Sequence, residues 1–168
     1  MRFWFIAAAC AAGLSGCSQQ ETSEPQQQAD IDRAVAEVEA AQTPPPDVVT
    51  PQRITSDQRE RYKFSPNGCD FAVNAPELGA LAILQLNVGY MQFEGEIERF
   101  APDAGAGEGP FGTSLRYNSG RHALRIEYVM AQGTPQGSQA TSYPARMELQ
   151  DGRDRTVYVA EGVALCST

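Results

Sequence analysis

Apolar and polar residues alternate in several short stretches of the chain after about residue 58. Alternation with a period of two places every second side chain on the same face of a strand. The stretches read CDFAVNA, ALAILQLN, MQFEGEIERF, TSLRY, RHALRIEYVM, ARMELQ, TVYVA and GVALC. No apolar stripe with helical spacing follows Gln58. The pattern therefore predicts an all-β fold, a small antiparallel β-barrel or sandwich of about seven to eight strands.

Turn-forming residues predict where these strands reverse. Asn118–Gly120 and Asp151–Asp154 each separate two alternating stretches, and both predict hairpins because Asn, Asp and Gly tolerate the backbone angles of tight turns. The alternation of apolar and polar residues shifts by one position at Val88–Tyr90, which predicts a turn or a bulge there. The alternation continues without a break through MQFEGEIERF, which predicts one continuous strand. The Gly- and Pro-containing stretches 101–112 and 131–144 predict long loops.

The N-terminal residues have the layout of a bacterial secretory signal. Arg2 precedes an apolar run, Phe3–Gly16, that is shorter than the roughly 20 residues a membrane span requires. The run ends in Leu-Ser-Gly-Cys, which resembles the bacterial lipobox, so we expect cleavage after residue 16 and lipidation of Cys17. The alternative is an ordinary cleaved signal with an incidental cysteine. In the lipoprotein pattern, Ser18 in place of Asp implies a lipid anchor in the outer membrane, facing the periplasm.

Residues 17–58 differ in composition from the rest of the chain. They contain no aromatic residue, and they carry eight acids but only two bases. Because so little apolar surface cannot offset the entropy of ordering, we predict a disordered tether between the anchor and a β-domain at residues 59–168. Within the tether, Ile31, Val35 and Val38 fall roughly on one face of a possible short docking helix.

Two cysteines remain for the β-domain. The chain has four, of which Cys10 lies in the predicted signal and Cys17 is the predicted lipidation site. Cys69 and Cys166 lie near the two ends of the domain, and two cysteines of an exported chain more often pair than bind metal. We therefore predict a Cys69–Cys166 disulfide that ties the first strand to the last.

The charge balance is acidic. Residues 59–168 hold thirteen acids and ten bases, and the tether adds further negative charge. An acidic chain without a basic patch is a poor candidate for binding nucleic acid. Glu94, Glu96 and Glu98 are predicted to share one face of a strand, as a solvated face or, alternatively, as an acidic patch for a cationic partner.

The sequence predicts neither catalysis nor a cofactor. His122, the only histidine, has no recognisable Ser or Cys nucleophile nearby in the sequence, and we interpret it as a surface residue at the start of an exposed strand. With one histidine and no Cys-x-x-Cys pair, no metal site is expected. The Gly-rich loop 101–112 lacks the Gly-Lys-Ser/Thr ending of a phosphate-binding loop. We therefore expect a non-enzymatic protein without a cofactor.

The centre of the β-domain, GTSLRYNSGRHALRIEY, resembles the membrane-bound inhibitors of C-type lysozyme. Those inhibitors are small β-barrel lipoproteins with cysteines near both ends of the barrel and a central Ser-Gly-x-x-Tyr segment. The resemblance places Thr113 at the serine, Ser114 at the glycine and Tyr117 at the tyrosine. It implies that these three residues contact the partner. We expect Thr113 and Tyr117 on an exposed loop-strand edge, with their hydroxyl groups donating to carboxylates of a lysozyme cleft. The alternative is that Tyr117 is a core residue, since aromatic residues on strands are more often buried than displayed.

Together these observations predict an outer-membrane lipoprotein whose periplasmic β-domain binds a protein or glycan partner. C-type lysozyme is the named candidate, and an acidic domain would be steered toward such a basic enzyme. The alternative is a structural or assembly lipoprotein of the cell envelope that docks its partner through the Ile31, Val35 and Val38 helix. The sequence does not indicate an oligomeric state.

Overall fold

The computed structural model describes residues 24–42, 44–46 and 48–168. The chain divides into two compact units, residues 1–44 and 45–168. Within the described residues, neither unit contains a helix long and apolar enough to cross a membrane.

Helix α1 (Glu24–Gln42) is the described part of the first unit. Its sequence is rich in Ala, Glu and Gln, which favour helix, and an ion pair joins Asp30 to Arg33 one turn away at 2.9 Å. No residue of α1 is buried. The sequence leaves a short helix open within the predicted tether, and the structure contains a helix at these residues.

The second unit begins well before the predicted domain boundary at residue 59. Ile54 is fully buried, and its backbone pairs with that of Ala80 in a short antiparallel bridge. Helix α2 (Ser56–Tyr62) follows, with Thr55 and Gln58 forming a reciprocal capping box at its start. The polar composition of this segment predicts a tether, but one buried isoleucine is enough to attach it to the barrel.

Within the described residues, nine strands form one antiparallel sheet. They are β1 (Gly68–Ala72), β2 (Ala82–Leu84), β3 (Gly89–Phe93), β4 (Glu96–Pro102), β5 (Arg116–Asn118), β6 (His122–Tyr128), β7 (Thr134–Gln136), β8 (Ala140–Asp151) and β9 (Thr156–Ser167). β1 pairs with β9 as well as with β2, and β8 pairs with β6 as well as with β9. Eight strands thus close into a barrel, and β7 extends it beside the first residues of β8. The predicted all-β fold is confirmed, and of its two forms the structure is the barrel.

The barrel interior is filled by side chains. The largest fully buried ones include Phe71, Phe100, Tyr117, Met147 and Leu149. They come from four different strands, and the two on β8, Met147 and Leu149, occupy alternate positions. The period-two pattern of the sequence therefore identifies the inward faces of β1, β2 and β6 correctly. On β4 it does not, because Phe100 lies in the core and Ile97 packs on the outer face.

Several strand boundaries differ from the prediction. MQFEGEIERF is a hairpin and not one strand, because Glu94 and Gly95 have φ values of 51° and 86° and reverse the chain between β3 and β4. The turn predicted at Val88–Tyr90 lies at residues 85–88. TVYVA and GVALC belong to the single strand β9, and the loop predicted at 131–144 contains β7 and the start of β8. The hairpins predicted at Asn118–Gly120 and Asp151–Asp154 are confirmed.

Candidate functional site

The three residues predicted to contact a partner lie inside the barrel. Tyr117 is fully buried, Thr113 is 1% exposed and Ser114 is 8% exposed. Tyr117 is the cross-strand neighbour of Leu124, and both side chains point into the core. The expectation that these hydroxyl groups are displayed on an exposed edge is therefore wrong. Aromatic residues on barrel strands carry a large apolar surface, and burying it outweighs the cost of enclosing one hydroxyl.

Their hydroxyl groups satisfy backbone groups of the protein itself. The Tyr117 hydroxyl donates to the carbonyl of Gln85 at 2.8 Å and accepts from the amide of Ser114 at 2.9 Å. The Thr113 hydroxyl donates to the carbonyl of Pro110 at 2.8 Å. Burial raises the pKa of Tyr117 to about 12, more than the hydrogen bond from Ser114 lowers it. These residues hold the loop 103–113 against the barrel.

The predicted disulfide is present. Cys69 of β1 and Cys166 of β9 are direct cross-strand partners and are bonded, with both side chains buried. The carbonyl of Pro110 and the hydroxyl of Thr113 lie 3.9 and 4.0 Å from the Cys69 sulfur, so the loop 103–113 covers the bond. The disulfide closes the barrel between the first and last strands.

A polar cluster closes the other end of the barrel, where the β5–β6 turn meets β4. Glu98 accepts a hydrogen bond from the Ser119 hydroxyl, lies 2.8 Å from Arg121, and lies 3.1 Å from Nδ1 of His122. The side chains of Glu98 and His122 are only 10% and 13% exposed. The prediction of a surface histidine is therefore wrong, and so is the prediction that Glu98 belongs to a solvated acidic face. His122 also packs against the ring of Phe93, 5.1 Å between centroids.

The cluster contains a serine, a histidine and a glutamate, but their geometry is not that of a nucleophile relay. The Ser119 hydroxyl contacts the Glu98 carboxylate and the backbone of His122, and no hydrogen bond joins it to the imidazole ring in the described structure. A relay requires the imidazole between the hydroxyl and the carboxylate. Burial raises the pKa of Glu98, but the hydrogen bonds from Ser119 and His122 and the neighbouring cations outweigh it, so the pKa lies below its usual value.

The outer surface of the barrel is covered on one side. Ile83 of β2 points outward and packs with Ile54 and Ala80, and Phe64, Tyr90 and Ile97 flank this second small core. The segment that contains Ile54 is fixed by hydrogen bonds from the Gln52 amide to the Gln92 carbonyl and from the Gly95 amide to the Gln52 side chain. The N-terminal segment of the unit thus shields the outer face of β2, β3 and β4 from solvent.

The outer face of β9 has no such cover. Val159, Val163 and Leu165 alternate with inward-facing residues and are 42%, 41% and 46% exposed. Val163 and Leu165 form the floor of a groove of about 350 Å³, together with Ala72 and Asp70 of β1. Such a bare aliphatic surface beside a shielded one is the arrangement typical of a binding surface.

One wall of this groove, which we call the β9 groove, is a loop held in an unusual backbone conformation. Pro76, Glu77 and Gly79 line it. Asn74 and Ala75 precede them with φ values of 45° and 40°, which non-glycine residues adopt rarely.

The Arg53 guanidinium stabilises this loop. It donates to the carbonyls of Val73, Asn74, Ala75 and Gly79. A guanidinium has five N–H donors in a fixed plane, so it can satisfy several carbonyls of one loop at the same time. The second wall carries Arg59, which forms an ion pair with Asp70 on the floor.

The sequence contains a local signal for the outward-facing residues of this groove. Once Cys166 is assigned to the interior, strand alternation requires its neighbour Leu165, and with it Val163, to face outward. The predicted lipidation site, Cys17, lies outside the described residues. Within the part of the chain that the structure describes, no three His, Cys, Asp or Glu side chains are grouped as metal ligands.

Comparison of the chain with protein-family models, with curated proteins and with solved structures found no match.

Proposed function

We propose that the chain is a lipid-anchored outer-membrane protein whose barrel binds a basic protein partner in the periplasm. The observation that carries the proposal is the bare outer face of β9, with Val163 and Leu165 exposed in a groove beside a shielded face. A single exposed aliphatic residue needs no explanation, but a row of them beside a groove does. The anchor rests on the lipobox-like sequence that ends at Cys17.

C-type lysozyme is the first partner to test. The resemblance of the central segment to lysozyme inhibitors suggests this enzyme as the partner, and the acidic charge of the barrel favours association with a basic protein. Contact through Thr113 and Tyr117 would require both side chains to leave the core, which would expose their apolar surface. We therefore place the partner on the β9 groove.

Surface plasmon resonance of the full chain in mild detergent with a C-type lysozyme tests this function. Val163→Thr should weaken binding about fivefold, because about 1 kcal/mol of apolar burial is lost. Val48→Thr is the matched control, since Val48 is 95% exposed and lies outside the groove. Absence of binding, or equal effects of the two substitutions, would overturn the assignment.

The anchor is tested separately. Cys17→Ala should abolish incorporation of a clickable fatty acid in growing cells, because the thiol is the acceptor of the lipid. Equal labelling of the variant and the wild type would remove the lipoprotein assignment.

A second candidate function is supported by α1. Ile31, Val35 and Val38 are 55%, 51% and 54% exposed and recur at helical spacing, as on a helix that docks a partner. In this case the chain is an assembly or stabilising lipoprotein of the envelope. A Val35→Gln variant that loses an envelope function while retaining lysozyme binding would favour this alternative.

A further inference from the structure

We propose that the β9 groove receives an extended segment of the partner in which aliphatic and cationic side chains alternate. This inference rests on the proposed function and specifies the chemistry of the partner. It is carried by three features of the groove: its dimensions, the charges on its rim and the rigidity of its wall.

The dimensions of the groove favour an extended segment. Its lining residues come from four adjacent strands, with Asp70 on β1, Leu165 on β9, Ser142 on β8 and Gln136 on β7. Four strands about 4.8 Å apart span roughly 14 Å, the length of about four extended residues.

The floor of the groove selects the side chains that face it. Val163 and Leu165 present branched aliphatic groups, and Ala72 beside Val163 leaves space above β1. In an extended segment every second side chain points the same way, so the residues that face the floor should be aliphatic. The residues between them point away from the floor, where they can reach the rim.

Among the described residues that line the groove, Glu77 carries the one charge that is outside an ion pair. Within the described residues, neither Glu77 on the wall nor Glu161 on β9 takes part in an ion pair, and both are exposed. The only cation that lines the groove, Arg59, is neutralised by Asp70. Arg146 lies opposite Glu161 on β8, but it is 3.6 Å from Glu148, a second carboxylate. Lysine or arginine side chains of the partner therefore complement this rim.

The wall that carries Glu77 is preorganised for binding. Arg53 connects the carbonyls of the loop 73–79, and Gly79 has φ 119° with its α-carbon against the backbone of Ile54. A β-carbon at Gly79 would lie 2.5 Å from the Ile54 carbonyl oxygen, so this contact requires glycine. A wall fixed in this way loses little entropy when a ligand binds.

Fluorescence anisotropy with dye-labelled pentapeptides tests the inference. The probes are Val-Arg-Val-Arg-Val and its acidic counterpart Val-Glu-Val-Glu-Val, titrated with the full chain in mild detergent at about 50 mM and about 300 mM NaCl. We expect the basic peptide to bind at least tenfold more tightly at the lower salt concentration. This preference should shrink at the higher concentration, where the Debye length is shorter.

Substitutions separate the two contributions. Glu77→Gln should weaken binding of the basic peptide two- to fivefold at low salt, the range of an exposed ion pair, whereas Glu96→Gln in the β3–β4 hairpin should have no effect. Val163→Thr should weaken binding at both salt concentrations. If the two peptides bind equally well but Val163→Thr still weakens both, the charge inference is wrong and the proposed function stands. If neither peptide binds, the inference is overturned, and lysozyme binding that depends on Val163 then decides the proposed function separately.

Discussion

Replacing Tyr117 by phenylalanine removes one hydroxyl group from the barrel interior and leaves the aromatic ring in place. The hydroxyl joins the carbonyl of Gln85 to the amide of Ser114. In the variant the buried Ser114 amide loses its acceptor, and a buried donor without a partner costs about 1–3 kcal/mol. The carbonyl of Gln85 adds little, because this residue is only half-buried and water can reach it. We therefore expect the free energy of unfolding to fall by about 2 kcal/mol.

Urea unfolding of the full chain, followed by far-ultraviolet circular dichroism, measures this change. Tyr62→Phe is the matched control, because Tyr62 is 49% exposed on α2 and its loss of a hydroxyl should change stability by less than about 0.5 kcal/mol. Equal effects of the two substitutions would contradict the buried hydrogen bonds of Tyr117. They would also restore the original expectation that its hydroxyl is displayed for a partner.

The same variant makes a prediction about alkaline pH. The pKa of Tyr117 is raised from its ordinary value of 10.0 to about 12 in the folded chain. The stability that this neutral hydroxyl provides is complete below pH 10 and is lost as the pH rises toward about 12. Tyr117→Phe should remove this part of the alkaline loss of stability, and urea midpoints between pH 9 and pH 12 measure it. Parallel pH curves for the variant and the wild type would contradict the reasoning.

The remaining predictions concern the disulfide, the barrel end and the N-terminal segment. Changing Cys69 and Cys166 together to alanine should destabilise the chain by about 4–5 kcal/mol, the value of the chain-entropy model for a separation of 97 residues. Thermal unfolding of the variant that matches the wild type would argue against closure of the barrel by this bond. The pKa of Glu98 is lowered in the folded chain, so the stability that its ionised form contributes is present above the pKa of Glu98 in the unfolded chain and is lost as the pH falls through its pKa in the folded chain. Glu98→Gln should therefore reduce the loss of stability at acid pH, measured by urea unfolding between pH 3 and pH 7. An equal loss in the variant and the wild type would contradict this reasoning. Ile54→Ala should lower the free energy of unfolding by about 2–5 kcal/mol, measured by urea unfolding, whereas Ile31→Ala on the exposed face of α1 should change it very little. The reverse order of the two effects would place the tether boundary back at residue 59.

The sequence predicts the strands of the barrel well because their signal is local. A strand that is buried on one face must alternate, and turns such as Asn118–Gly120 have few chemical solutions. The Cys69–Cys166 bond was predictable because these two cysteines are the only ones that the sequence leaves for the predicted β-domain. In each case a short stretch of residues, or a simple count, contains the information.

The errors arise where a residue's role depends on distant parts of the chain. Nothing local shows that Glu98 meets His122 and Ser119, because these residues are brought together by the barrel and not by the sequence between them. In the same way, Ile54 is one apolar residue in a polar segment, and its contacts with Ala80 and with Ile83 on the outside of β2 make it part of the fold.

The three residues that the resemblance selected as partner contacts are buried in the structure. Tyr117 and Leu124 are inward-facing neighbours, and the alternation of the β5–β6 hairpin already indicates that Tyr117 is buried. The same parity, applied outward from Cys166, identifies Leu165 and Val163 as surface residues. Strand alternation shows which residues face outward, but it does not show which outer faces another segment of the chain covers. The cover on β2–β4 comes from the N-terminal segment.

Hydroxyl-radical footprinting of the full chain, with and without a saturating C-type lysozyme, tests the central claim most directly. It measures the oxidation of individual exposed side chains by mass spectrometry. The account predicts that lysozyme protects Val163 and Leu165 in the β9 groove and leaves Leu86 and Phe111 unchanged, since these two exposed residues belong to the β2–β3 turn and to the loop 103–113. Protection of Leu86 and Phe111 with unchanged oxidation of Val163 and Leu165 would contradict it.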